Sequence, residues 1–315
     1  MGLVDLHCHP LPGIDDGVRS ADEGVALLVA LARAGFDVVV ATPHVRAGLW
    51  DNRLDTRAAA HAALGEALSA ARERGEPLPE LLLAGEHLFD DVLHDLLARG
   101  EALTYPGGGA ALVEFQYEFV PVRVEQQMWR MHRSGVRPVL AHPERYAPLQ
   151  PDTERYEDIL GAGAWGLLDV MSLVGAYGRR AQAAAERNLD KGLYAAACTD
   201  AHKPEDVTEV ERALEALRVR VGESGVRRLF DEGPRRVLRP RGRSPRRRDD
   251  DTGPRSEQSG GKRENEQPDR SWVAREGRVV VISIGYVGLP LVVEFAKAGF
   301  HVTGYDGTVG ARSSR

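Results

Sequence analysis

The sequence predicts an α/β chain whose larger, N-terminal part is a (β/α)7 barrel. Seven short, nearly all-apolar runs recur at intervals of about 25–40 residues, at 3–6, 37–41, 80–84, 111–114, 137–141, 165–170 and 193–198. Runs of this length flanked by Gly or Pro favour strands, and their continuous apolarity marks strands buried on both faces, as in a parallel sheet. Helical periodicity fills the intervals. Seven alternating units lie less easily in one flat sheet than in a closed ring of strands.

Taken in order, the first strand ends in His7-Cys8-His9 and leads to Asp15-Asp16-Gly17. Ser20 and Glu23 form a capping box that opens a helix over 24–34, which Gly35 closes. The second strand runs into Thr42-Pro43-His44 and a helix over 55–74. The third ends in Gly85-Glu86-His87 before a helix over 90–98, and the fourth in Glu114 before a helix over 122–134. The fifth ends in His142-Pro143-Glu144-Arg145. The sixth shows no obvious ligand at its tip and precedes a helix over 176–188. The seventh ends in Thr199-Asp200-Ala201-His202, with a helix over 205–220.

Composition sets the frame for these elements. The chain has 315 residues, 43% hydrophobic and 28% charged, enough for a large core. Two cysteines, Cys8 and Cys198, are too few for a disulfide framework and point to a reducing, cytoplasmic setting. The longest apolar runs fall short of the roughly 18 residues a membrane span needs, and no secretory signal is read at the N-terminus. Residues 1–238 carry 26 basic and 37 acidic side chains, a balance of −11, whereas 239–315 carry 15 and 10, a balance of +5.

In parallel α/β folds, chemistry collects at the carboxyl ends of the strands. For any one of these residues, a satisfied core hydrogen bond is the ordinary alternative. The set is more telling. A period of two puts His7 and His9 on one face of the first strand and Cys8, a packing residue, on the other. Asp16, Glu86, Glu114 and Asp200 converging on one mouth would repel and raise one another's pKa unless cations neutralised them. Imidazole and carboxylate without thiolate suit Mn, Fe or Zn rather than a structural zinc site, and so many ligands call for more than one ion. Such ions lower the pKa of bound water to about 7 and supply a hydroxide for in-line displacement at phosphorus. Arg145 could hold phosphate oxygens bidentately, or form a salt bridge with Glu144 or Asp152. A cysteine phosphatase would need Cys-x5-Arg, but Ile14 and Pro204 stand six places after the two cysteines.

His7-x-His9, Asp15-Asp16-Gly17, Ala41-Thr42-Pro43-His44, Gly85-Glu86, Glu114-Phe115, Ala141-His142-Pro143-Glu144-Arg145 and Thr199-Asp200-Ala201-His202 together resemble the polymerase-and-histidinol-phosphatase (PHP) superfamily. Within it, the similarity is to the CpsB/CapC group of bacterial capsule-regulating, manganese-dependent protein-tyrosine phosphatases. The resemblance implies a PHP-type distorted TIM-like barrel over 1–238. It implies up to three divalent ions, Mn2+ first with Fe or Zn as alternatives, on His7, His9, Asp16, His44, Glu86, Glu114, His142, Asp200 and His202. Glu86 would bridge two ions, and Arg145, His44 and His202 would form the catalytic group. The implied substrate is the phosphotyrosine tail of a bacterial tyrosine autokinase controlling polysaccharide synthesis. Many members carry a second phosphate-binding arginine shortly after the final Asp-Ala-His, where this chain has Lys203-Pro204-Glu205. Two other readings are a further phosphoesterase of the superfamily, such as histidinol phosphatase, and a non-catalytic metal- or NAD-binding regulator.

Between Leu238 and Trp272 no aliphatic or aromatic residue occurs, so residues 239–276 read as a disordered charged linker. The arginine-rich 239–248 runs into Asp249-Asp250-Asp251 without interleaved aromatics and reads as a tether, with no nucleic acid expected. Residues 277–315 hold a partial Rossmann βαβ pattern in which Gly285, Gly288 and Asp306 are the dinucleotide candidates. Its Gly-Tyr-Val-Gly-Leu-Pro turn resembles the start of UDP-glucose and GDP-mannose dehydrogenases. Ser283 replaces the first fingerprint glycine and the pattern is truncated, so NAD is not expected to bind.

Overall fold

The computed structural model describes residues 2–50, 54–239, 278–282 and 301–305. These fall within two compact units, one in Met1–Arg246 and one in Arg247–Arg315. In the first, the chain runs β1 (Leu3–Cys8), α1 (Ala21–Arg33), β2 (Phe36–Ala41), β3 (His44–Val45), α2 (Leu54–Glu73), β4 (Glu80–Leu83) and β5 (Glu86–Leu88). It continues through α3 (Asp91–Arg99), β6 (Ala110–Glu114), α4 (Val124–Arg133), β7 (Arg137–Ala141), α5 (Glu154–Gly161) and β8 (Trp165–Asp169). It ends with α6 (Arg179–Asp190), β9 (Tyr194–Cys198), α7 (Asp206–Arg227) and α8 (Gly233–Val237).

All strand pairs are parallel, in a sheet of order β1-β2-β4 and a sheet of order β3-β5-β6-β7-β8-β9. Where seven strands were expected, two are broken at their tips. Pro43, which has no N–H to give, separates β2 from β3, and Ala84-Gly85 separates β4 from β5. The breaks turn His44 and Glu86 onto the second sheet, where they pair with each other in register. The sheets meet again at the far edge, where Asp200 N donates to His7 O and His9 N donates to Ala201 O, both at 2.9 Å.

Packing follows from the two-sided apolarity. Val4, Leu6, Val40, Leu112, Val139, Leu167 and Ala196 form a cluster of inward-facing strand residues, nearly all below 2% exposure. Each large aliphatic side chain buried this way contributes about 1.5–3 kcal/mol. A second cluster packs α1, α2 and α7 on the outer faces of the strands, and a third does so for α4 and α5. Ser20 accepts from Glu23 N at 3.2 Å as the capping pattern predicts, so α1 starts at Ala21 rather than at 24. Three helical stretches lie outside the sequence expectation. They are α5, α8, and the continuation of α7 past 220 across a kink at Gly222, where φ is 68°. They are short or interrupted, and their burial comes from neighbouring strands rather than from a strong period of their own.

In the second unit, β10 (Arg278–Ile282) and β11 (His301–Tyr305) pair in parallel. Gly285, Gly288 and Asp306, like most of the expected linker, lie outside the described residues. Among the described residues no helix is long and apolar enough to cross a membrane.

Candidate active site

The carboxyl ends of the strands carry a dense cluster of imidazoles and carboxylates. β1 places His7 and His9 on one side, with their Nε2 atoms 3.2 Å apart. Cys8 points the other way, fully buried, with its Sγ against Ala201 O. Burial raises the Cys8 and Cys198 thiols well above their ordinary range, so neither is a ready nucleophile. His7 Nε2 lies 2.6 Å from Asp200 Oδ1 and 3.4 Å from Glu86 Oε2. His44 Nδ1 lies 2.9 Å from Glu86 Oε2 and 3.1 Å from Glu114 Oε1, while its Nε2 is 3.3 Å from Asp16. His142 Nε2 lies 3.1 Å from Glu86 Oε1, and His202 Nε2 lies 3.4 Å from Asp16.

The backbone is bent to achieve this. Among the described residues, positive φ at a non-glycine occurs at Arg123, His142 and Asp200, and the last two belong to this cluster. His142 (φ 32°) and Asp200 (φ 50°) turn their side chains inward at a strand end, at a cost of order 1–3 kcal/mol each. The Asp15-Asp16-Gly17 turn is equally constrained. Asp15 Oδ2 contacts His9 Nδ1 at 2.9 Å, orienting that ring, and accepts from the His44 backbone N–H at 3.1 Å, anchoring the chain there. A Cβ on Gly17 would come within 2.4 Å of His9 O and 2.6 Å of His9 Cβ. Gly17→Ala is therefore expected to lower the melting temperature by roughly 5 °C through overpacking of about 1–3 kcal/mol. An unchanged melting temperature would show that the turn can relax away from His9.

Electrostatics record the excess of negative groups. Although burial opposes it, the Asp15 and Asp200 carboxylates lift His9 to about 10. The Glu86 charge with Asp16 and Glu114 likewise holds His44 far above its usual range, again against burial. His142 goes the other way, down to about 4, because burial and then the Arg145 cation disfavour its charged form. Glu86 Oε2 and Asp200 Oδ1 are buried and accept no well-directed hydrogen bond, although imidazole nitrogens surround them. Nitrogen and oxygen atoms thus converge on common points, an arrangement that bound cations can satisfy. Four overlapping groups could each hold an ion: His9, Asp16, His44 and His202; His7, Glu86 and His142; His7, His9 and Asp200; and His44, Glu86 and Glu114. Together they use all nine residues expected from the sequence.

Arg145 lies at the edge of this cluster, following His142 through a short helical turn over Pro143–Arg145. Its Nη1 is 2.5 Å from Asp200 Oδ2 and 3.4 Å from Asp169 Oδ2, and its Nη2 is 2.5 Å from the Tyr117 hydroxyl. The expected alternatives, Glu144 and Asp152, are not its partners. Glu144 is fully buried and accepts from Asp169 N, Ser172 Oγ and the Tyr194 hydroxyl, each at 3.0 Å. Asp152 accepts from Glu154 N at the start of α5. Lys203 is 64% exposed and 3.9 Å from Asp206.

Several residues at the mouth have no place in the sequence reading. Asp169 is the ionisable group at the tip of the sixth expected strand, where none was recognised because it falls inside the apolar run. Burial, with the Asp200 charge, raises its carboxyl well above the usual range. Trp50 stacks on His44, with ring centroids 4.7 Å apart. Tyr177 lies against Arg145. A cavity of about 260 Å³ adjoins Asp16 and His202, and Arg19 and Lys203 help to line it. A larger one of about 610 Å³ lies at the opposite ends of β8 and β9, around Trp165 and Tyr194, away from all nine residues.

A parallel α/β scaffold whose strand ends gather imidazoles and carboxylates able to hold cations defines the class. The chain belongs to the CpsB/CapC family of capsular polysaccharide synthesis, whose pattern it matches over residues 3–239. It is 29% identical over 204 residues to tyrosine-protein phosphatase YwqE of Bacillus subtilis, covering 64% of this chain and 77% of that protein. It is 24% identical over 242 residues to tyrosine-protein phosphatase CpsB of Streptococcus pneumoniae, covering 75% and 98%. A crystal structure of these proteins, described as unique metal-dependent tyrosine phosphatases, aligns with a TM-score of 0.67 at 25% identity, covering 75% of this chain and 94% of the other.

Proposed function

We infer that this chain is a metal-dependent protein-tyrosine phosphatase acting in capsule or exopolysaccharide synthesis. The family match and the tyrosine phosphatases among its relatives support the activity. The single observation in the chain itself that carries the reading is the convergence of Glu86 Oε2 and Asp200 Oδ1 with imidazole nitrogens without directed hydrogen bonds. On this reading His7, His9, Asp16, His44, Glu86, Glu114, His142, Asp200 and His202 hold up to three divalent ions, Mn2+ first, with Fe or Zn as alternatives. Bound there, such ions acidify water to about pKa 7 and offset the charge on phosphoryl oxygens. Arg145 then orients the phosphate through its planar fork. Asp15 fixes the His9 ring, as outer carboxylates do for metal-binding imidazoles, and holds the His44 backbone.

The two sheets, joined at both edges, fit a distorted (β/α)7 TIM-like barrel over 1–238, followed by a linker over 239–276. Residues 277–315 fit the start of a βαβ unit, for which the parallel pairing of β10 and β11 is the support. The proposed substrate is the phosphotyrosine tail of a bacterial tyrosine autokinase. A reducing, cytoplasmic setting agrees with Cys8 and Cys198 both being free thiols.

The test is hydrolysis of a phosphotyrosine peptide and of histidinol phosphate by the full chain, after chelation and after return of Mn, Zn, Fe or Mg. Metal-restored turnover of the peptide, well above that of histidinol phosphate, is the expected result. Turnover that survives chelation would end the reading. Metal binding is also expected to release protons, because His9 at about 10 is charged at neutral pH and a cation must displace its proton. Affinity should therefore rise with pH, by up to about tenfold per unit for each proton displaced. Calorimetry in two buffers of different ionisation enthalpy measures the proton count, and a count of zero contradicts the expected charge on His9.

A further inference from the structure

Arg145 is enclosed by aromatic rings that the metal cluster does not require. Its guanidinium carbon lies 4.1 Å from the Tyr177 ring centroid and 5.1 Å from that of Tyr117. The Tyr117 hydroxyl also meets Nη2. Both rings reach the surface: Tyr117 is 45% exposed and Tyr177 36%. Phe119, on the Tyr117 loop, is 66% exposed. Tyr117 is 6.1 Å from the His142 ring, so this aromatic rim adjoins the proposed metal cluster. The Arg145 side chain itself is only 14% exposed, so a phosphate reaching it must pass the two tyrosines.

We propose that Tyr117 and Tyr177 form the walls of a slot that receives the aromatic ring of the substrate ester, making the site selective for aryl over alkyl phosphates. The proposal rests on the phosphatase reading and adds the source of its specificity. On this proposal the ester group of a phosphate held by Arg145 lies against these rings. An aryl group there covers exposed aromatic surface and gains ring-to-ring contact, and a short alkyl group does neither. Lys203, just past the last strand tip, is paired with Asp206. Tyr117 also positions Arg145 through its hydroxyl, a role separable from that of its ring.

The test compares two non-hydrolysable ligands, phenylphosphonate and methylphosphonate, titrated calorimetrically into the full chain loaded with Mn2+, with metal content measured on each sample. The wild-type chain is expected to prefer phenylphosphonate by about tenfold. Tyr117→Ala and Tyr177→Ala should each reduce that ratio about fivefold, the size of one aromatic contact. Tyr117→Phe keeps the ring and should keep the ratio, while weakening both ligands alike through the lost Arg145 contact. Equal wild-type affinities, including no measurable binding of either ligand, would overturn the slot. So would alanine variants that weaken both ligands by the same factor. If phenylphosphonate is preferred but the loaded chain turns over no aryl phosphate, the slot stands and the phosphatase reading fails.

Discussion

His9→Ala is expected to lower kcat/KM for a phosphotyrosine peptide by at least about 10²–10³-fold, the scale on which loss of one transition-state-stabilising group is felt. His9 contributes to two of the four candidate ion groups and lies 3.2 Å from His7 and 3.3 Å from Asp200. Its loss removes a nitrogen between groups that no neighbouring side chain can replace. The fold should survive, because the partners His9 leaves behind keep other contacts. Asp15 still accepts from Gly17 N at 3.0 Å and from His44 N at 3.1 Å, and Asp200 keeps His7 and Arg145. Circular dichroism alongside bound-metal analysis and kinetics decides it. A folded variant with full activity would remove His9 from the catalytic assembly.

Arg145→Ala is expected to raise KM by about 10–100-fold with bound metal unchanged, since a charge-assisted hydrogen bond contributes about 1.5–3 kcal/mol. Arg145→Lys should recover part of this, because an ammonium keeps the charge but not the planar fork. The substitution also removes a buried cation from Asp169 and Asp200. Breaking such a pair ordinarily costs about 3–5 kcal/mol. Here the loss should be smaller, since burial already pushes the Asp169 carboxyl upward and the group can take up a proton in place of the cation. Lost metal together with a normal KM would make Arg145 a brace for Asp200 rather than a phosphate ligand.

Most of the nine cluster residues were legible because they stand at or just beyond the end of an apolar run, and a parallel fold brings such positions to one end whatever the details of the helices. Their partners were less legible. Asp169 falls inside the run 165–170 and reads as strand until the neighbouring Arg145 is seen against it. The salt bridge weighed for Arg145 as the alternative to a phosphate was with Glu144 or Asp152, both near in sequence. Arg145 instead turns toward Asp200, which is distant in the chain but adjacent once the tips of β7, β8 and β9 lie together. Trp50 and Tyr177 carry no motif, and only their stacking on His44 and Arg145 marks them. The helix α5 was missed because eight residues give too little period to stand out.

The amino-acid sequence alone determined the strand–helix alternation, the chemistry available at each strand tip and the absence of a cysteine phosphatase loop, because these depend on local pattern and residue type. Tertiary structure decided which tips meet. It broke the second and third strands at Pro43 and Gly85 so that His44 and Glu86 face each other, and it forced His142 and Asp200 into positive φ to aim them inward. It also wrapped Arg145 in two tyrosines. Those outcomes depend on distances between residues far apart in the chain, which packing fixes and local periodicity does not contain.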